Sequence, residues 1–129
     1  MPATPVKPRI LVVEDQPVIS ETMICLLKRA GCEAVSANTG SEGMRRAQAE
    51  EFDLITLDND LPDTTGLEFC RHLKQDLHLR QIPVIFVTGC LCEASRRQCL
   101  ELGAADYIVK PFDAFMFVSR IFFHLKTAQ

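Results

Sequence analysis

Short apolar, β-branched runs recur along the chain, and between them apolar residues return every three or four positions. Arg9-Ile-Leu-Val-Val13 is the first run, and Pro17 to Ala30 follows with Val18, Ile19, Met23, Leu26 and Leu27 at helical spacing, stopped by Gly31. Glu33 to Ala37 reads as a second strand, and Thr39 or Ser41 can cap a helix reaching about Glu50. Phe52 to Leu57 is a third strand, Asp58 to Gly66 a loop, and a helix then runs to about Lys74. Pro83 to Val87 gives a fourth strand, Leu91 to Leu102 a helix closed by Gly103, Asp106 to Val109 a fifth strand, and Phe112 to about Lys126 a last helix.

Five strands alternating with five helices predict a parallel sheet covered on both faces, and right-handed crossovers make that sheet doubly wound. The predicted class is α/β. In such sheets ligands bind beyond the carboxyl ends of the strands, where the strand order reverses. A length of 129 residues, 47% of them hydrophobic, suffices for one core. We expect one domain over residues 9–126, a short tail over 1–8 and a C-terminal end or linker start over 127–129.

Charge and cysteine usage narrow the classes. The net charge is −3, and the basic runs do not exceed the pairs Arg45-Arg46 and Arg96-Arg97, so direct nucleic-acid binding by this domain is not expected. No window approaches the ~18 consecutive apolar residues of a membrane span, and residues 1–8 lack the apolar stretch of a signal peptide, which predicts a cytoplasmic protein. Cys25, Cys32, Cys70, Cys90, Cys92 and Cys99 contain no C-x-x-C pair, and reduced thiols fit better than a disulfide framework or structural zinc. His72, His78 and His124 fall on or beside helices and read as structural or surface residues.

The candidate chemistry gathers at the strand ends. Glu14 and Asp15 follow the first strand, Asp58 and Asp60 the third, Thr88 and Gly89 the fourth, Lys110 and Pro111 the fifth. Carboxylates brought together repel one another unless a cation joins them, and an open cluster with room for water suits Mg²⁺ (or Mn²⁺). Lys110 supplies a compact positive charge, Thr88 a hydroxyl, and Asn59, Asp60 and Gly89 backbone N–H groups, together a cradle for a phosphoryl group. Asp58 is then the nucleophile.

These residues carry a resemblance. Glu14-Asp15, Asp58 with Leu61-Pro62 and Gly66, Thr88-Gly89, and Ala105 to Phe112 (Ala-Asp-Tyr-Ile-Val-Lys-Pro-Phe) resemble the signature of response-regulator receiver domains, from about Arg9 to about Lys126. The resemblance implies the strand order 2-1-3-4-5 and a phosphoryl group passed to Asp58 from a phosphohistidine on a sensor histidine kinase or phosphotransfer protein. It further implies Mg²⁺ held directly by Asp15, Asp58 and the Asp60 backbone carbonyl, with Glu14 acting through water. Lys110 would pair with the phosphoryl oxygens, and Thr88 and Tyr107 would form the switch pair. Self-phosphorylation and autodephosphorylation would be its only catalysis. Asn59, Thr64-Thr65 and Gly89 depart from the family pattern, where an aliphatic residue, Met-Asp, and Ala or Ser are usual.

Two other readings compete. Leu57-Asp-Asn-Asp-Leu61 is similar to the nucleophile motif of haloacid-dehalogenase-type phosphatases, but those enzymes need another acidic pair downstream of the lysine, where this chain has only Asp113. A phosphorylation-independent pseudo-receiver is opposed by the intact acid set, Thr88 and Lys110. Asp63 and Asp106 read as turn formers or caps. In the last helix Phe117, Val118, Ile121 and Leu125 make one stripe, whereas Phe115, Met116, Phe122 and Phe123 fall on the far side. That second face predicts a contact surface, for a homodimer or an output domain, on the fourth helix, fifth strand and fifth helix. The output itself is not encoded in any motif: the chain reads as a stand-alone regulator or a receiver cut from a longer protein.

Overall fold

The computed structural model describes residues 7–89 and 92–127. Five strands and five helices alternate: β1 Arg9–Val13, α1 Pro17–Arg29, β2 Glu33–Ala37, α2 Gly40–Ala49, β3 Leu54–Leu57, α3 Gly66–Gln75, β4 Val84–Thr88, α4 Glu93–Glu101, β5 Asp106–Val109 and α5 Ala114–Thr127. All neighbouring strands pair in parallel, in the order β2-β1-β3-β4-β5. The order reverses at β1 and β3.

The central strands read as unbroken apolar runs because each face of the sheet buries its own set of side chains. Leu11, Val13, Ile55, Leu57, Val84 and Phe86 point to one face and pack with Phe69, Cys70 and Leu73 of α3. Ile10, Val12, Leu54, Ile85 and Val87 point to the other and pack with Met23 and Leu27 of α1 and Phe117, Ile121 and Leu125 of α5. The strand period of two thus sorts alternate residues into two cores.

Element boundaries follow local hydrogen bonding. Thr39 caps α2 by accepting the Glu42 N–H at 3.0 Å, and Thr65 caps α3 by accepting the Glu68 N–H at 3.1 Å. The last helix begins at Ala114 rather than Phe112 because Asp113 is its cap, accepting the Met116 N–H at 2.9 Å. The third strand begins at Leu54 rather than Phe52, since Asp53 is occupied with β1: its N–H donates to the Arg9 carbonyl and its carboxylate accepts the Arg9 N–H. Gly31 and Gly103, at φ 95° and 98°, end α1 and α4 in the left-handed region that glycine adopts without strain. The expected start of the fourth helix at Leu91, Cys90 and most of the N-terminal tail lie outside the described residues.

Candidate functional site

The sheet places its charged residues one step beyond its strands. The Glu14 N–H donates to the Ala37 carbonyl at 3.0 Å, the Asp58 N–H to Val13 at 3.0 Å, and the Lys110 N–H to Thr88 at 2.8 Å. Each bond continues a strand pairing past its last residue, so these backbones are held by the ladder. Their side chains converge. Glu14, Asp15 and Asp58 bring carboxylate oxygens within 4.8 Å of one another. The Lys110 ammonium lies 2.5 Å from Glu14 Oε1 and donates to Asp58 Oδ2 at 3.2 Å.

The electrostatics of this group are unbalanced. Asp58 and Glu14 are buried, at 5% and 1% exposure. Burial, with the Asp58 charge beside it, pushes the Glu14 carboxyl up to about 7, against the opposing pull of Lys110 and the Gln16 N–H. Burial would lower the Lys110 pKa, but its bond to Glu14 and the Asp58 charge outweigh that and raise it. Glu14 Oε1 is fully enclosed, and its cation, Lys110, is shared with Asp58, so two buried acids divide one positive charge. Three converging carboxylates against a single ammonium leave negative charge over, and such a cluster of hard oxygen donors fits a divalent cation.

A crevice of about 610 Å³ opens over this cluster, lined on its polar side by Asp15, Asp58, Asp60, Gly89 and Lys110. Its other wall is apolar, from Val18 and Ile19 of α1 to Pro111 and Phe112; Pro111 and Phe112 belong to the sequence signature, whereas Val18 and Ile19 read in the sequence only as helix positions. No sequence signal separates them, because Val18 and Ile19 share the helical spacing of Met23, Leu26 and Leu27; only the fold leaves Val18 76% exposed at the crevice. Among the described residues nothing lies within 4 Å of a Cβ built on Gly89, so they leave the crevice open there.

The β3–α3 loop is organised by its own residues. Asp60 N–H donates to Asp58 Oδ1 at 3.3 Å, Gly66 N–H to the Asn59 carbonyl at 2.8 Å, and Leu67 N–H to Asn59 Oδ1 at 3.3 Å. The Asn59 side chain therefore serves the start of α3. Gly66 packs so closely that a Cβ there would lie 2.7 Å from the Asp58 carbonyl oxygen. Thr88 is wholly buried at the end of β4, and Tyr107 is buried in β5 with its ring 6.5 Å from Phe86 in stacked orientation.

A family model, described as the response regulator receiver domain, matches residues 10–122. The chain belongs to this family. Phosphate regulon transcriptional regulatory protein PhoB of Escherichia coli is 40% identical over 113 residues, covering 88% of this chain and 49% of PhoB. This receiver domain thus spans about half the length of the curated relatives it matches. Among solved structures, a CheY-like response regulator receiver domain protein from Methanospirillum hungatei superposes with a TM-score of 0.90 at 28% identity, covering 95% of this chain and 97% of the other. Chemotaxis response regulator CheY4 of Vibrio cholerae gives 0.87 at 25% identity, covering 92% and 99%. The doubly wound fold and order 2-1-3-4-5 of the receiver domain are those expected. Receiver domains of response regulators are in general signalling modules rather than turnover enzymes.

Away from the crevice, α5 departs from expectation at two places. Met116, expected on the outward side, is half-buried against the core beneath α1 and α5, while Phe115, Phe122 and Phe123 are exposed at 83%, 37% and 61%. Asp106 is not merely a turn former. It accepts from Arg120 Nη1 at 2.7 Å and pairs with His124 Nε2 at 2.9 Å, fixing α5 to the edge strand β5. His124 thus ties α5 to β5 through its contact with Asp106. No helix among the described residues is long and apolar enough to cross a membrane.

Proposed function

We propose that Asp58 is the phosphoacceptor of this receiver, taking a phosphoryl group from a phosphohistidine of a sensor histidine kinase or phosphotransfer protein. The observation that carries this reading is the convergence of Glu14, Asp15, Asp58 and Lys110 from three strand ends in one open crevice. A carboxylate oxygen of Asp58 attacks phosphorus, the P–N bond breaks, and the imidazole nitrogen keeps the electron pair and takes up a proton. Lys110, already bonded to Asp58, meets the charge that develops on the phosphoryl oxygens. The backbone N–H groups of Asn59, Asp60 and Gly89 cradle the group. Glu14, Asp15, Asp58 and the Asp60 carbonyl are the groups that hold Mg²⁺ (or Mn²⁺), which offsets carboxylate repulsion and the charge of the incoming phosphoryl.

Thr88 and Tyr107 report the modification, and the surface of α4, β5 and α5 passes it on. The exposed Phe115, Phe122 and Phe123, with Met116 at their edge, support a homodimer or an output domain docked there. The free thiols of Cys25, Cys32 and Cys70 fit a cytoplasmic location. Catalysis is limited to Mg²⁺-dependent self-phosphorylation and autodephosphorylation. The acid that a haloacid-dehalogenase-type phosphatase would need beyond Lys110 has no counterpart, because Asp113 caps α5.

The test is incubation with phosphoramidate or acetyl phosphate and Mg²⁺, followed by mass spectrometry. One phosphoryl group on Asp58, lost on removal of Mg²⁺, is the expected result. No incorporation, or steady hydrolysis of a generic phosphomonoester, overturns it.

A further inference from the structure

Asp63 lies in the β3–α3 loop, five residues beyond Asp58, and its carboxylate serves a distant element. Oδ1 accepts the Gly40 N–H at 2.8 Å and Oδ2 the Ser41 N–H at 2.9 Å, both in the first turn of α2. Those two bonds hold the Asp63 carboxyl below its usual range. Two other amides of that turn are already satisfied by Thr39, its side chain taking Glu42 and its carbonyl Gly43. The loop therefore supplies the partners that α2 lacks.

The contact is also steric. A Cβ on Gly40 would fall 2.4 Å from Thr64 Cγ2 and 3.3 Å from Asp63 Oδ1, so the loop lies directly against the start of α2. Nearer Asp58, the loop's other ties run to itself or to α3: the two bonds to Asn59 and the Asp60–Thr65 bridge. Asp63 instead bonds it to the connection between β2 and α2, which also holds Glu14, whose N–H bonds to Ala37 at the end of β2. A ring of bonds runs from Asp58 along the loop to Asp63, across to Gly40, back to Ala37 and on to Glu14.

We propose that Asp63 is a positioning residue for phosphoryl transfer to Asp58, locking the loop that carries Asn59 and Asp60 onto the start of α2. It touches neither the phosphoryl group nor the metal. The inference rests on the phosphoacceptor reading above, and concerns what sets the spacing between the wall bearing Asp58 and Asp60 and the wall bearing Glu14 and Asp15. Without the lock the loop keeps its ties to α3 but can swing away from α2, and the Asp60 carbonyl moves relative to the three carboxylates. Both Mg²⁺ affinity and the rate at saturating Mg²⁺ depend on that spacing.

Three variants separate positioning from stability and from charge. Asp63→Ala removes the lock, Gly40→Ala crowds the Thr64 methyl and the Asp63 carboxylate from the other side without changing charge, and Thr39→Ala removes a cap of the same helix that accepts from Glu42 rather than from the loop. Mg²⁺ binding is read by calorimetry, and phosphorylation by phosphoramidate as a function of Mg²⁺ concentration, which splits half-saturation from limiting rate. Asp63→Ala and Gly40→Ala are expected to weaken Mg²⁺ binding and lower the limiting rate roughly 10-fold, as loss of an outer support for a metal site does. Thr39→Ala is expected to lower the melting temperature while leaving both within about 2-fold of the parent. Equal losses in all three variants, no loss in any, or a loss in Asp63→Ala without one in Gly40→Ala would each overturn the proposal. A parent protein that takes no phosphoryl group would instead overturn the phosphoacceptor reading itself.

Discussion

At the end of the sheet where the strands begin, Arg9 meets its acids one oxygen at a time. Its Nε bonds to Glu33 at 3.1 Å, Nη2 to Glu50 at 2.9 Å and Nη1 to the Glu51 carbonyl at 2.9 Å, while its guanidinium carbon sits 4.9 Å over the Phe52 ring. Bonding to Arg9 holds the Glu50 carboxyl below its usual range. Where the strands finish, Glu14 and Asp58 divide one ammonium, Lys110, with the Asp15 carboxylate beside them, and the Glu14 carboxyl is pushed up to about 7. The same sheet thus closes its charges at one end and leaves them open at the other. Charge satisfied within the chain can only stabilise it, whereas charge left unsatisfied is available to a ligand.

Removing charge from the open end should abolish function and spare the fold. Asp58→Asn is close to isosteric and relieves repulsion among the carboxylates, so phosphoryl incorporation should vanish while the metal-free melting temperature holds or rises. A marked fall in that temperature would mean the acids at this end are as well satisfied as those around Arg9, and the contrast would be lost.

The converse holds at the closed end. Arg9→Ala should cost on the order of 1–2 kcal/mol in urea unfolding, because several partly exposed hydrogen bonds go at once and Glu33 and Glu50 are left near one another. Mg²⁺ affinity and phosphorylation should be unchanged. Altered phosphorylation in a folded Arg9→Ala protein would show that the two ends are coupled through β1.

How far this contrast was legible beforehand depends on the range of each interaction. The strands and the acids at their ends could be read because apolar runs and the residues after them are local features. Thr39 was visible as a cap because its partner lies three residues away, whereas Asp63 caps a helix 23 positions earlier in the chain, and no spacing rule records that. Asp106 and His124 likewise meet only when α5 packs on β5. Asn59 reads in the sequence as a departure from an aliphatic position, and its bond to the Leu67 N–H exists only because α3 folds back beside it. Counting turns sets Met116 on the outward face, but its long side chain packs against the edge of the core.

Titration should give the two ends opposite signs. Glu50 has a lowered pKa in the folded state, so its contribution is present above the ordinary carboxylate range and is lost as pH falls through the folded value. Glu14 has a raised one, so the folded metal-free protein holds a proton that the unfolded chain has released between 4.5 and about 7. Stability must then fall as pH rises through that window. Melting temperatures of the metal-free protein should show this decline, and Glu14→Gln should flatten it while Arg9→Ala leaves it in place. A Glu14→Gln protein with the parent's slope would assign the window to some other group.

Midway between the two ends, β3 carries one polar group that belongs to neither. Thr56 is fully buried, pairs in register with Val12 and Ile85, and shares a face with Leu54 against α1 and α5. Its Oγ1 has no hydrogen-bond partner among the described residues. An unpaired hydroxyl in an apolar layer costs free energy, and Thr56→Val removes it while keeping the branched shape that suits a strand. The change should raise stability by about 1 kcal/mol in urea unfolding. Mg²⁺ affinity should stay at the parent's value, since the side chain is fully buried in the apolar layer and makes no hydrogen bond to the carboxylates beyond the strand. If Thr56→Val instead destabilises the fold, the hydroxyl is satisfied by a buried water. The middle of the sheet would then resemble its closed end, and only the carboxylates beyond the strands would remain unmet.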